Sequence, residues 1–296
     1  MPSTREIRRR IRSVKNMAQI TKAKQMVASS KMRRAQERVQ QSRPYADQLR
    51  GLVSRLARAG GVDIGEGMVL LKERPVRTIG IILITPDRGL CGALPSNINR
   101  KAAATALEQQ NRLAEQGQRP DVEFIGVGRK GRDFIIRTQQ RLIAEFTDYG
   151  DRPTLSDASA IAQVASDAFL KGEVDIVYLI YAKFINTVTQ QPIAVQLLPV
   201  QPPVEQGNER ENIEYIYEPD PQAIFQALLP RYVDVVVYQA LLEAVASEQS
   251  ASMVAMKNAT DSANELIQDL TLTYNKARQA AITTQILEVV SGAEAL

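Results

Sequence analysis

The sequence predicts an α/β protein: a mainly parallel sheet domain with helices on both faces, plus a long antiparallel coiled coil formed by the N- and C-terminal helices. Three observations predict it. Short apolar runs alternate with amphipathic segments between residues 76 and 200, the pattern of strands and helices in an α/β domain. Ser3 to Arg50 contains no glycine and one proline, Pro44. Arg231 to Ser291 is a run of 61 residues with neither.

The elements follow in chain order. Ile7, Ile11, Val14 and Ala18 recur at spacings of 4, 3 and 4, a heptad-like stripe along one helix face. Ser3 or Thr4 caps its start, with Glu6 close behind. Pro44 is expected to kink or briefly interrupt the helix. The helix then resumes and ends at Gly60-Gly61, where glycine permits a left-handed exit. Val76–Thr85 is a buried strand, Pro95–Gln116 a helix, Val122–Val127 a strand and Lys130–Arg137 a short helix. Leu142–Phe146 is a strand, Ser156–Lys171 a helix, Asp175–Ala182 a strand and Ile193–Val200 the last strand. The closing pair of segments within Lys183–Pro199 fits an antiparallel edge. Gln201–Asn212 is a loop, and Pro219-Asp220-Pro221 opens the last element.

In that last element, apolar or small residues fall at Met256, Ala259, Ala263, Leu266, Leu270, Tyr274, Ala277 and Ala281. At 1.5 Å per residue the helix would be about 90 Å long, against about 40 Å across a compact domain. Roughly half of it must therefore project. A lone projecting helix with an apolar stripe is unstable in water. The other long striped helix is the N-terminal one, so the two should pair antiparallel. The expected domains are residues 1–60 as the N-terminal shaft helix, 75–206 as the globular α/β domain, and 207–296 as a loop and the C-terminal shaft helix. The shaft is thus discontinuous, 1–60 with 221–296.

Charge is uneven. The chain is +4 overall, but residues 1–50 hold 14 Lys/Arg against 3 Asp/Glu, and residues 221–296 hold 4 against 8. The first segment should meet something acidic: nucleic acid, anionic lipid or an acidic protein surface. There is no histidine, which excludes imidazole as base or metal ligand within this chain. Cys91 is the one cysteine, so no internal disulfide forms. No run of 18 apolar residues exists, so no transmembrane helix is expected. The N-terminal residues lack the apolar core of a signal peptide.

Candidate chemistry is sparse. Gly126-Val-Gly128-Arg-Lys-Gly131 matches G-x-G-x-x-G after a strand and before a helix, a pattern that can seat a pyrophosphate. It follows the second strand instead of the first and the next helix is short, so the lone match is weak and a tight strand-to-helix turn is the favoured reading. Gly128-Arg-Lys-Gly131 also mimics a KH-type clamp, without KH topology. The basic run Arg8, Arg9, Arg10, Arg12, Lys15, Lys22, Lys24, Lys31, Arg33 and Arg34 could bind phosphates. No aromatic residue interleaves it between Met1 and Pro44, which weakens base stacking. A nucleic-acid-binding protein is therefore the alternative to a charge-matched surface for acidic protein loops. No Walker motif and no Cys/His cluster is present, and no catalytic, cofactor-binding or metal residue is assigned.

Four stretches before the last helix are recognisable: Ile20-Thr-Lys-Ala-Lys-Gln-Met-Val-Ala-Ser-Ser-Lys-Met32, Thr85-Pro-Asp-Arg-Gly-Leu-Cys-Gly92, Lys183-Phe-Ile-Asn-Thr187 and Tyr217-Glu-Pro-Asp-Pro221. The last helix adds Ala246-Ser-Glu-Gln249, Met253-Val-Ala-Met-Lys257, Ala259-Thr-Asp261, Tyr274-Asn-Lys-Ala-Arg-Gln279 and Ile282-Thr283. Together, and in this order over essentially the whole chain, they resemble the γ subunit of F-type ATP synthase.

The resemblance implies a non-catalytic rotor shaft without cofactor, one copy per complex. Its coiled coil would fill the bore of the hexamer of α and β subunits, and its globular domain would sit on the membrane c-subunit ring beside ε. Arg278, Gln279 and Thr283 match positions that contact the catch loops of β. Lys22, Lys24 and Lys31 lie where the helix passes the acidic lever of β; some relatives carry methionine in place of Lys24. Ile286, Leu287, Val289 and Val290 match the tip that turns in an apolar sleeve. Tyr215, Tyr217 and Glu218 match the region facing the c ring and ε. Photosynthetic relatives carry an extra segment that this chain lacks, and Cys91 is alone, so no thiol switch is expected. The implied location is the cytoplasmic face of a bacterial plasma membrane, bound peripherally.

Overall fold

The computed structural model describes residues 3–58, 69–115, 117–201, 218 and 220–294. The chain divides into two compact units, Met1–Ser29 with Ser252–Leu296, and Ser30–Ala251. Two long helices run through both: α1 (Thr4–Arg58) and α5 (Pro221–Glu294).

The unit of residues 30–251 is built on a five-stranded sheet. Its strands are β1 (Thr78–Ile84), β2 (Asp121–Val127), β3 (Arg141–Phe146), β4 (Ile176–Phe184) and β5 (Gln190–Leu198). Their spatial order is β3-β2-β1-β4-β5. β1 runs parallel to β2 and β4, β2 runs parallel to β3, and β5 closes the sheet antiparallel to β4. The connecting helices are α2 (Leu94–Ala114), α3 (Arg129–Arg137) and α4 (Leu155–Leu170). Each strand or helix read from the sequence is present, shifted by a few residues at its ends. A three-residue 3-10 turn at Val69–Leu71 was not foreseen; so short a segment has no period to detect.

The sheet is covered on both faces because its central strands are apolar at odd and even positions alike. On β1, Ile79, Ile81 and Leu83 join one cluster with Leu94, Ile98 and Ala102 of α2 and Ile135 of α3. Ile82 and Ile84 point the other way, onto Ile161, Ala165 and Phe169 of α4 and Phe225, Leu229 and Val233 of α5. β4 alternates likewise, with Val177 and Leu179 in the second cluster and Tyr178 and Ile180 in the first. Burying one such side chain contributes roughly 1.5–3 kcal/mol, so the doubly covered strands anchor this unit. α4 starts cleanly because Thr154 and Asp157 form a reciprocal capping box, satisfying two orphan donors.

Within the same unit α1 lies against α5. Ala35 and Val39 cluster with Leu242, Val245 and Ala246, and Ala46 and Leu49 cluster with Val235. As α1 numbers rise, their α5 partners fall, which is antiparallel pairing. Of the kink or brief interruption expected at Pro44, the interruption does not occur: α1 continues to Arg58. Pro44 and Gln40, whose carbonyl loses its intrahelical donor, are both exposed. Water can satisfy that carbonyl, while buried Ala46, Leu49 and Val53 keep the segment after Pro44 packed. Pro230 lies inside α5 in the same way, also exposed. The expected stop at Gly60-Gly61 lies outside the described residues. α5 begins at Pro221 as read, with the Asp220 carboxylate accepting from the Ala223 N–H at 2.8 Å.

Candidate partner-binding surface

In the unit of residues 1–29 and 252–296, the two helices pair along one heptad seam. Ile7, Ala18, Thr21 and Ala28 of α1 are buried, as are Met256, Thr260 and Ala263 of α5. Ile11, Val14, Gln25, Ile267, Leu270, Tyr274 and Ala277 are half-buried. The α5 stripe therefore passes through Ile267, and the assignments of Leu266 and Ala281 to it were wrong. Leu266 is 47% exposed and Ala281 is exposed. Asn-Glu-Leu266-Ile267-Gln offers two adjacent apolar residues, and spacings of 3 and 4 fit either; only the partner helix decides.

Two polar contacts fix the register. The hydroxyls of Thr21 and Thr260 meet at 2.7 Å inside the seam, with the Met256 and Ala18 carbonyls at 2.8 and 3.1 Å as further acceptors. Nearer the N-terminus, an Arg8 guanidinium nitrogen donates to the Tyr274 hydroxyl, and its carbon lies 5.4 Å from that ring's centre. A polar pair at seam positions penalises any slip, which would bury a hydroxyl without its partner. The sequence signal was there: a threonine in each apolar stripe.

Beyond Ala277 the described part of α1 no longer covers α5. Every described α5 side chain from Arg278 to Ser291 is exposed. Arg278 and Gln279 are free of ion pairs among the described residues, and the Thr283 hydroxyl donates back to the Gln279 carbonyl at 3.0 Å. Ile286, Leu287, Val289 and Val290 are 57, 60, 72 and 48% exposed. Arg9, Arg10, Arg12, Lys15, Lys22 and Lys24 of α1 are exposed and make no ion pair among the described residues.

Lys31 differs from Lys22 and Lys24. It belongs to the other unit, and its ammonium lies 2.5 Å from Asp151. The Gln249 amide donates to the same carboxylate at 3.1 Å, and the Arg38 guanidinium to the Asp151 backbone carbonyl at 3.1 Å. Lys31 is thus engaged within the chain. Glu218 is exposed, while Tyr215 and Tyr217 lie outside the described residues.

The Gly126–Gly131 turn is occupied by the protein itself. Each of the first N–H groups of α3 already has an acceptor: Arg129 the Asp87 carboxylate at 3.0 Å, Lys130 the Pro86 carbonyl at 3.2 Å, and Gly131 the Thr85 hydroxyl at 2.7 Å. A Cβ on Gly128 would lie 1.9 Å from the Thr85 carbonyl oxygen. The glycines let the β1 end approach α3, which removes the anion site that a dinucleotide needs. The Thr85–Gly92 stretch is therefore a fastening: Asp87 also accepts from Asp148 N–H at 3.0 Å, and the Tyr149 hydroxyl donates to Thr85 at 3.0 Å. Lys183–Thr187 has a similar duty. Asn186 closes the β4–β5 turn by accepting from Val188 and Thr189 at 2.9 and 2.8 Å. From α5, Ser247 and Ser250 donate to the Ala182 and Thr187 carbonyls at 2.8 and 2.7 Å.

Comparison with known proteins is specific. Residues 3–296 match the family described as ATP synthase. An ATP synthase gamma chain of Roseiflexus castenholzii is 51% identical over 100% of this chain and 99% of its own. The central stalk and c-ring structure of the Tetrahymena thermophila mitochondrial ATP synthase contains a chain 27% identical, with a TM-score of 0.58, over 81% of this chain and 99% of that one. A chain of the Euglena gracilis mitochondrial ATP synthase, 19% identical with a TM-score of 0.67 over 99% and 94%, shares the fold.

Proposed function

Because the chain belongs to the ATP synthase gamma chain family, a non-catalytic subunit of the central stalk, we propose that its paired helices transmit rotation between a membrane c ring and the nucleotide sites of an α/β hexamer. The carrying observation is the α5 segment past Ala277. Its large apolar side chains have no partner in the described chain, and a helix of that kind is covered in its working state. A surface of Ile286, Leu287, Val289 and Val290 offers contact without directional bonds, which suits a bearing that must slide. Arg278, Gln279 and Thr283, about one to two turns earlier, offer directional bonds to loops of β. The exposed cations Lys22 and Lys24 suit an acidic lever on β. Lys31 serves that lever only by giving up Asp151. Glu218, with Tyr215 and Tyr217, is assigned to the c ring and ε. No helix among the described residues is long and apolar enough to cross a membrane. The proposed place is peripheral, on the cytoplasmic face of a bacterial plasma membrane, with one copy per complex.

Mixing purified α and β subunits with and without this chain, and following ATP hydrolysis, tests the proposal. One copy should co-purify per hexamer and change turnover. Arg278→Ala and Gln279→Ala should each slow hydrolysis and synthesis without dissociating the complex. A hydrogen bond involving a charged group is worth roughly 1.5–3 kcal/mol, a ceiling of about tenfold to a hundredfold on rate. Wild-type rates in both variants would remove the catch-loop assignment. A chain that neither binds the hexamer nor alters its rate would remove the shaft itself.

A further inference from the structure

The paired helices of residues 1–29 and 252–296 have two flanks beside their seam, and the flanks differ. In an antiparallel pair, residues that precede seam positions come to the same flank on both helices, and residues that follow them come to the other. On α1 the preceding residues are Met17, Ile20, Lys24 and Val27, ahead of Ala18, Thr21, Gln25 and Ala28. On α5 they are Ala255, Ala259, Ser262 and Leu266, ahead of Met256, Thr260, Ala263 and Ile267. Met17, Ile20, Val27 and Leu266 are 56, 53, 55 and 47% exposed. The opposite flank carries Gln19, Lys22 and Met26 on α1, and Lys257, Asp261 and Asn264 on α5. One flank is thus largely apolar and the other, Met26 apart, is polar. The shaft reading uses Lys24 of the apolar flank and leaves its apolar side chains unassigned.

That flank is complementary to itself. α1 contributes large side chains, and α5 contributes small ones except at Leu266. Thr21 lies level with Thr260, and Arg8 with Tyr274. Counted from these contacts, Met17 stands between the levels of Leu266 and Ser262, Ile20 between Ser262 and Ala259, and Lys24 between Ala259 and Ala255. A half-turn about an axis parallel to the helices lays α1 of one copy over α5 of a second, with these levels kept. The large α1 side chains then enter gaps between small α5 ones, as knobs enter holes. The same half-turn brings Glu6 near the level of Lys276 and Arg10 near that of Asp269, so opposite charges meet at the far end. All four are exposed, and none forms a salt bridge among the described residues.

We propose that two copies of the free chain dimerise through this flank, which stays covered until the hexamer takes the shaft. The contact runs from Glu6 to Val27, about 30 Å of helix. Two helices of that length bury on the order of 1,000 Å² in total, the low end for a specific interface. The dimer is therefore weak and exchanges, as a form that must give way to a tighter partner requires.

Sedimentation equilibrium of the full chain over a range of concentrations tests the proposal. A monomer–dimer equilibrium with a micromolar dissociation constant is expected. Ile20→Glu should weaken it by about tenfold to a hundredfold, because symmetry places each substitution at two contacts. Met26→Glu, an equally exposed residue on the polar flank, should leave it unchanged. Far-UV circular dichroism of both variants should match the wild type, since neither residue lies in the seam. A chain that stays monomeric up to about 1 mM, one that associates beyond the dimer, or equal effects of the two variants would overturn the proposal. Cross-linking provides a second readout. Chains carrying Ile20→Cys, mixed with chains carrying Ala259→Cys, should form a mixed disulfide on mild oxidation, and Cys91 is buried. Gln19→Cys in place of Ile20→Cys should not; equal yields would also overturn the dimer. Both measurements use the chain alone, so their failure would leave the shaft proposal untouched.

Discussion

Leu266→Pro should break the two-helix unit and abolish function, whereas Leu266→Ala at the same position should be nearly silent. The contrast follows from where the residue lies. Its side chain is 47% exposed and outside the seam, so truncating it removes little; exposed substitutions usually stay within about 0.5 kcal/mol. Its backbone lies mid-helix in α5, where proline removes a hydrogen bond and clashes with the preceding turn at a cost of about 3 kcal/mol or more. The unit has little to set against that. Its buried residues among those described are Ile7, Ala18, Thr21, Ala28, Met256, Thr260 and Ala263, all on the one seam. Far-UV circular dichroism during heating, together with ATP turnover of the assembled complex, reads the outcome. A fully helical, fully active Leu266→Pro complex would contradict the paired-helix account, and a severe Leu266→Ala defect would return that residue to the seam.

Gly128→Ala should be the most damaging single-methyl change in the sheet domain. Gly128 has a φ of 90°, and the added Cβ would meet the Thr85 carbonyl oxygen at 1.9 Å and its carbon at 2.8 Å. Neither partner is a flexible side-chain end. Thr85 is fully buried, and its backbone N–H donates to the Val127 carbonyl at 2.8 Å. The end of β1 must shift, or α3 must come away, which costs about 3 kcal/mol or more. Gly150→Ala is the matched control. Its φ is 69° with nothing within 4 Å of the new Cβ, so only the left-handed strain of roughly 1–2 kcal/mol applies. Urea midpoints of the two variants should be well separated. Equal midpoints would mean that the approach of Thr85 to the glycine turn is not the constraint.

Much of the fold is legible in the sequence, for identifiable reasons. Strands β1 and β4 are buried on both faces, so they read as continuous apolar runs. α5 is long, with proline confined to its first turns, so its persistence was visible. The sheet order was not legible, because strand neighbours depend on the crossovers and not on local composition. α1 was read from its first four stripe residues. The stripe continues through Thr21, Gln25 and Ser42, whose polarity hides a seam that Met32, Ala35, Val39, Ala46 and Leu49 sustain. The resemblance singled out the apolar tip and Lys22 and Lys24 for contact with partners, and these side chains lie at the surface. The engagement of Lys31 could not be read from the sequence, since Asp151 lies 120 positions away in a loop. Nor could the glycine triplet be resolved: the pattern is shared by phosphate cradles and tight turns, and the Thr85 hydroxyl decides between them.

The seven-residue seam has a mechanical corollary. A stripe that recurs every 3.5 residues on helices of 3.6 residues per turn winds the pair into a left-handed supercoil. Such a rope is not symmetric under torsion. A couple that adds left-handed turns presses the two sides of the seam harder together, Thr260 onto Thr21 among them, and the opposite couple pries the strands of the rope apart. The chain therefore has a stiff sense and a compliant sense of twist, fixed by the spacing of its apolar residues before any partner grips it.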